Sequence, residues 1–109
     1  MYEDQREKWR RFLAREIKYE AALENYMVEG VHDAGGLALK MDPRGNAGVP
    51  DLMILFKGNV FFVELKTERG TVQPHQKAKH RLFDLHGHPV HILRGKEQVD
   101  YFIEQYLPE

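Results

Sequence analysis

Two short apolar runs on either side of a glycine constrain this chain more than anything else in it. LMILF at 52–56 and VFFV at 60–63 are rich in β-branched and aromatic residues, and Gly58-Asn59 between them suits a two-residue hairpin turn with positive φ. The pattern predicts an antiparallel hairpin. Pro50-Asp51 stands at its entrance and Glu64-Leu65-Lys66 at its exit, with twelve residues separating Asp51 from Glu64. Folding the hairpin therefore returns Glu64 toward Asp51. Strand side chains alternate between faces, so Val60, Phe62, Glu64 and Lys66 share one side while Phe61, Val63 and Leu65 take the other.

Two carboxylates and an ammonium gathered in this way match the needs of phosphodiester hydrolysis. A hard cation such as Mg²⁺ is held by one or two carboxylates and neutralises charge growing on the phosphoryl oxygens, and Asp51 and Glu64 are the candidates to hold it. Lys66 is the candidate to orient the attacking water and to stabilise the charged transition state. The alternative is an ordinary surface Asp and a solvated Glu/Lys pair.

Composition limits the other possibilities. The chain has 109 residues, 42% hydrophobic and 30% charged, with a formal net charge of -1; this is the size of one globular domain with a single core. Cysteine is absent, which removes disulfides, thiolate metal sites and Cys nucleophiles and leaves oxygen and imidazole as metal donors. No run of about 18 apolar residues is present to span a membrane, and the charged start MYEDQREKWRR is unlike a signal peptide. A cytoplasmic location is expected. Basic residues crowd residues 6–18 and the segment containing Lys77, Lys79 and Arg81, as local patches for phosphate or as solvated faces paired with Glu3, Glu7 and Glu16. Five histidines lie between 75 and 91, but no HExxH pattern supports zinc, and no GxxxxGK[ST] or GxGxxG phosphate cradle occurs.

From about Glu3 to Val31 no glycine or proline occurs before Gly30, and Trp9, Leu13, Ile17, Leu23, Met27 and Val31 fall on one face of a long helix, with one break allowed for. At about 100° per residue Glu20 lies near the middle of that stripe and Glu24 about 40° away. An inward carboxylate is paired, hydrogen-bonded or bound to a cation; Lys40 and Arg44 are the candidate ion-pair partners. LALKM is a short strand, and DPRGNAGVP a loop leading to Asp51. Pro74 opens a second helix running to about His86, on which Gln76, His80 and Phe83 share a face and Leu82 and Leu85 are the expected packing anchors. Gln76 is placed to reach the acids. PVHIL forms the last strand and Lys96 to Leu107 a closing helix. The expected class is α/β, in the order α-β-β-β-α-β-α, with a central mixed sheet flanked by helices.

Glu20 on the first helix, GVPD at 48–51, VELK at 63–66 and Gln76 opening the next helix together resemble the VRR-NUC family of the PD-(D/E)XK nuclease superfamily, over roughly residues 19–103. The blocks KYEAALENYM, GGLALKM and FFVELKTERGTVQPHQ carry the same likeness. The resemblance implies a restriction-endonuclease-like core in one domain, 1–109, with residues 1–18 a helical extension outside the match and a candidate dimer contact. It implies a site with Glu20, Asp51, Glu64 and the Leu65 carbonyl as metal ligands, Lys66 as catalytic lysine and Gln76 in support, and Mg²⁺ or Mn²⁺ as cofactor. Glu24 competes with Glu20 for the helical position, and Gln73 stands where a small capping residue is expected. The resemblance also implies action as a homodimer on branched DNA, as for minimal, often phage-borne members. The resulting expectation is a structure-selective endonuclease resembling a Holliday-junction resolvase, in the host cytoplasm if phage-encoded. A flap, nicking or restriction-type nuclease, or a nucleic-acid-binding module without catalysis, stands as the alternative.

Overall fold

The computed structural model describes residues 4–109. Helix α1 spans Gln5–Asp33 without a break; Glu3, where the sequence pattern begins, lies outside the described residues. Asp4 caps the helix, its carboxylate accepting from the Arg6 N–H at 3.0 Å. The glycine near its C-terminal end lies against the closing helix: a Cβ at Gly30 would come within 2.6 Å of Ile103 Cδ1, which would have to shift. Then follow β1 (Leu37–Lys40), β2 (Leu52–Phe56), β3 (Asn59–Lys66), α2 (Pro74–Leu85), β4 (Val90–Arg94) and α3 (Gly95–Tyr106). The predicted order of elements and the mixed sheet are both observed.

The four strands lie in the order β1-β2-β3-β4. The first two pairings are antiparallel, and β4 joins β3 in parallel after the α2 crossover. The hairpin turn differs from the predicted one by a residue. Phe56 pairs with Asn59, so Lys57 and Gly58 are the two turn residues, with φ of 47° and 83°. The sheet faces decide this register: it sets Ile54 opposite Phe61 and Leu52 opposite Val63 on the side that becomes the core. Gly58 supplies the easy positive φ, and Lys57 adopts the other.

Helices α1 and α3 cover one face. Leu23, Met27 and Val31 from α1 and Val99 and Phe102 from α3 pack with Leu52, Ile54, Val63 and Leu65 to form the dry core. Helix α2 lies on the opposite face and covers it incompletely. Its apolar contact is Phe83, edge-on to Phe62 at 4.9 Å, whereas Leu82 and Leu85, the expected anchors, are 50% and 76% exposed. A short helix resting on β3 and β4 turns only one narrow stripe inward, and Phe83 occupies it. The same face leaves Leu37, Leu39 and Val60 exposed.

Candidate active site

The β2–β3 ladder ends at Leu52 and Val63, while β3 runs on to Lys66 paired only with β4. Asp51 sits where the two strands part. Its backbone carbonyl accepts from the Met41 N–H at 2.9 Å, and its side-chain Oδ2 accepts from the Leu65 N–H at 2.8 Å, replacing the carbonyl that a continued ladder would have offered. The strand-opening loop leans on α2: Gly48 has φ of 85°, and a Cβ there would lie 2.5 Å from the His75 carbonyl oxygen. Glycine is required at that point.

Beyond the parting, Glu64 and Lys66 project from β3 on the α2 side, as strand alternation predicts. Glu64 is the one buried charged residue among those described, at 2% exposure. Gln76, in the first turn of α2, binds both. Its Oε1 accepts from Lys66 Nζ at 3.1 Å and from the Gln73 N–H at 2.9 Å, and its Nε2 donates to Glu64 Oε2 at 3.0 Å. Two donors on one side and a carboxylate on the other fix the amide orientation. The bond to the Gln73 N–H satisfies the N-cap backbone donor as one half of a capping box, and the Gln73 side chain donates to Thr71 Oγ1 at 3.4 Å. Lys66 Nζ stands 3.5 Å from Glu64 Oε2.

Electrostatics follow from this burial. Desolvation first and the neighbouring Asp51 charge second push the Glu64 carboxyl up to about 7, against the opposing pull of Lys66 and Gln76. Asp51 is also raised, mainly by burial, with the Leu65 hydrogen bond and Lys66 acting against it and Glu24 adding to it. Two carboxylates crowded in a poorly hydrated place disfavour full ionisation unless positive charge joins them.

Asp51, Glu64, Lys66, the Leu65 backbone and Gln76 thus converge. Glu20 does not join them: it is exposed on α1. Glu24, one turn further on, is half-buried, pairs with Lys40 at 3.0 Å, and its charge is felt at Asp51. Arg44, the other candidate partner, instead donates Nε and Nη2 to Asp42 Oδ2 at 2.9 and 2.8 Å. Among the described residues no three His, Cys, Asp or Glu side chains gather closely enough to enclose a metal ion. The sequence did not single out His80 for the site. Its Nε2 lies 3.8 Å from Glu64 Oε1, and its place at i+4 from Gln76 was the available signal.

A mixed sheet that parts beside an Asp, Glu and Lys on adjoining strands is the architecture of the PD-(D/E)XK nuclease fold. No family model matches the chain. It is 39% identical over 80 residues, covering 72% of this chain and 85% of the relative, to "Putative nuclease p44" of Acyrthosiphon pisum secondary endosymbiont phage 1. A solved structure described as a VRR_NUC domain superposes with a TM-score of 0.73 at 36% identity, covering 81% of this chain and 97% of the other. The chain belongs to the VRR-NUC family. No helix among the described residues is long and apolar enough to cross a membrane.

Proposed function

We propose that this protein is a divalent-metal-dependent DNA endonuclease, selective for branched DNA and acting on four-way junctions in the manner of a Holliday-junction resolvase. The observation that carries the reading is the convergence, where β2 and β3 part, of Asp51, bound to the Leu65 N–H, with Glu64 and Lys66, which Gln76 joins by hydrogen bonds. The family relationship and the nuclease name of the phage relative support it.

The donor set fits Mg²⁺ or Mn²⁺. Oxygen donors suit these ions, and Glu64 Oε1 is fully buried with no hydrogen-bond partner, a state that a cation would relieve. Asp51, Glu64 and the Leu65 carbonyl would hold the ion, joined by an acid from α1. The half-burial of Glu24 and its charge at Asp51 support Glu24 over Glu20 for that part. When bound, the metal supplies Lewis-acid stabilisation of the phosphoryl oxygens and an activated water. Lys66 sets a positive charge beside the scissile phosphate and orients the attacking water, and its bond to Gln76 restrains the ammonium. Gln76 holds Lys66 and Glu64 in register through its two amide ends. Calcium is expected to permit DNA binding but little turnover, because its looser shell positions water poorly.

A two-fold dimer would present two equivalent sites to a junction of matching symmetry. The N-terminal part of α1 is the candidate contact, with Trp9 61%, Phe12 39%, Leu13 42% and Ile17 65% exposed. Light scattering at micromolar concentration checks this: a dimer is expected, and a monomer that cuts both strands of a junction symmetrically would refute the dimer requirement. The cytoplasm is the proposed location, that of the host cell if the protein is phage-encoded. Four-way junctions, flaps, nicked duplex and single strands incubated side by side with Mg²⁺ or Mn²⁺ test the function. Preferential paired incision of junctions is the predicted result; cleavage confined to flaps or nicks favours the flap or nicking reading, and binding without cleavage in both metals reduces the protein to a binding module.

A further inference from the structure

We infer that His80 is a positioning residue for Glu64, its Nε2–H donating to Glu64 Oε1 while Gln76 holds Oε2, so that α2 grips both oxygens of the carboxylate. The inference rests on the proposed metal site and assigns it a component that the β2–β3 hairpin does not contain.

Two side-chain atoms among the described residues are buried, belong to residues that are not exposed, and lack any hydrogen-bond partner: Glu64 Oε1 and His80 Nε2. They face each other at 3.8 Å. An unpartnered polar atom in the interior is costly, and here the two unmet needs are complementary. A carboxylate oxygen accepts, and a neutral imidazole protonated at Nε2 donates. A side-chain adjustment of under about 1 Å brings the pair within hydrogen-bond range. No donor among the described residues forms a hydrogen bond to that oxygen.

The sequence spacing makes the grip possible. Gln76 and His80 are one helical turn apart on α2, and residues at i and i+4 stand one above the other on a helix surface. The turn containing Gln76 reaches Oε2, and the next turn brings the imidazole over Oε1. Phe83, a further turn on, seats the helix against Phe62, which is two residues before Glu64 on the same strand face. The aromatic contact therefore sets the depth at which Gln76 and His80 meet the carboxylate. A carboxylate oxygen has more than one acceptor direction, so a hydrogen bond from His80 leaves Oε1 able to ligate. Partners of this kind orient metal-ligating carboxylates, and their loss typically weakens metal binding about 10–100-fold.

The test is Mn²⁺ binding to the protein without DNA, read by electron paramagnetic resonance, with the thermal melting of each variant recorded alongside. His80→Phe keeps a ring of similar bulk without a donor, and His80→Gln keeps a donor. We expect His80→Phe to weaken Mn²⁺ about 10-fold or more and His80→Gln to recover most of that loss. If His80→Phe does not fold, His80→Ala takes its place in the comparison. A folded donor-less variant with wild-type Mn²⁺ affinity overturns the inference, as does His80→Gln binding no better than the donor-less variant. Wild-type protein that binds no Mn²⁺ at all overturns the metal-site reading itself, a separate outcome.

Discussion

The two faces of β3 show how one strand is divided between stability and chemistry. Val63 and Leu65 point toward α1 and α3 into a core where Leu52, Ile54, Val31 and Met27 are almost wholly excluded from water. Glu64 and Lys66, the alternating residues, point toward α2, which turns no fully buried residue of its own toward the sheet. The first face is closed mainly by apolar contact, with the Tyr26–Asp100 hydrogen bond linking α1 to α3. On the second, polar groups from Gln76 and His80 meet Glu64, and apolar Leu37, Leu39 and Val60 remain exposed. A single apolar face suffices to hold a chain of this size together, leaving the thinly covered face free to carry buried charge and open to a large polar substrate. Stability and function are therefore expected to separate by residue parity along the strand.

The largest expected effect tests that parity. Asp51→Asn, Glu64→Gln and Lys66→Ala each lower cleavage by about a hundredfold to a thousandfold or more, as removal of transition-state charge stabilisation does, while circular dichroism remains that of the wild type. Substantial cleavage by any one of them, folded, breaks the assignment. On the other face the outcome reverses. Leu52→Ala and Leu65→Ala are expected to lose about 2–5 kcal/mol of stability, measured by urea unfolding, yet to cut at near wild-type rates below their melting temperatures, since Leu65→Ala leaves the backbone carbonyl in place.

Titration sharpens the contrast, because only one face holds a buried acid. Burial raises the Glu64 carboxyl to about 7 in the folded protein, against roughly 4.3 in an unfolded chain. Between those values the unfolded state has released a proton that the folded state keeps, so the stability contributed by this group is greatest below pH 4.3 and falls as pH rises toward 7. Subtracting the pH–stability curve of Glu64→Gln from that of metal-free wild type isolates the effect from the histidines. The difference is expected to favour the variant increasingly over this interval, by about 4 kcal/mol at most, and to shrink when Mn²⁺ is added. A flat difference would mean that Glu64 is not held in a desolvated site.

The smallest effect concerns the helical acid. Calorimetric titration with Mn²⁺ is expected to show Glu24→Gln weakening binding by about tenfold, near 1.4 kcal/mol, and Glu20→Gln changing it less. The reverse order would return the role to Glu20.

The order of elements was legible in the sequence because local rules govern it. Apolar, β-rich runs on either side of Gly58 marked β2 and β3, Pro74 opened α2, and the absence of helix breakers before Gly30 made α1 continuous. Asp51, Glu64, Lys66 and Gln76 were legible for the same reason, since a hairpin and the helix after it bring them together whatever the rest of the fold does. What depended on packing between distant elements was not legible. The hairpin turn moved by one residue because the core face, and not the turn dipeptide, sets the register. On α1 the apolar stripe extends past the point where the helix leaves the core, so its geometric centre at Glu20 is exposed, whereas Glu24 lies beside buried Leu23. Leu82 and Leu85 fit a helix covering a whole sheet, and α2 covers only part of one. His80 lay on a recognised helical face, but its meeting with Glu64 depends on how deeply Phe83 seats α2 on Phe62.

The most direct measurement is DNA cleavage by Glu64→Gln and Leu65→Ala, adjacent residues on opposite faces of one strand, assayed on a labelled four-way junction with Mg²⁺ at a temperature where both proteins are folded. The account predicts that Glu64→Gln is silent and that Leu65→Ala, though less stable, cuts at a rate near that of the wild type. Cleavage by Glu64→Gln at a rate comparable to wild type would contradict it.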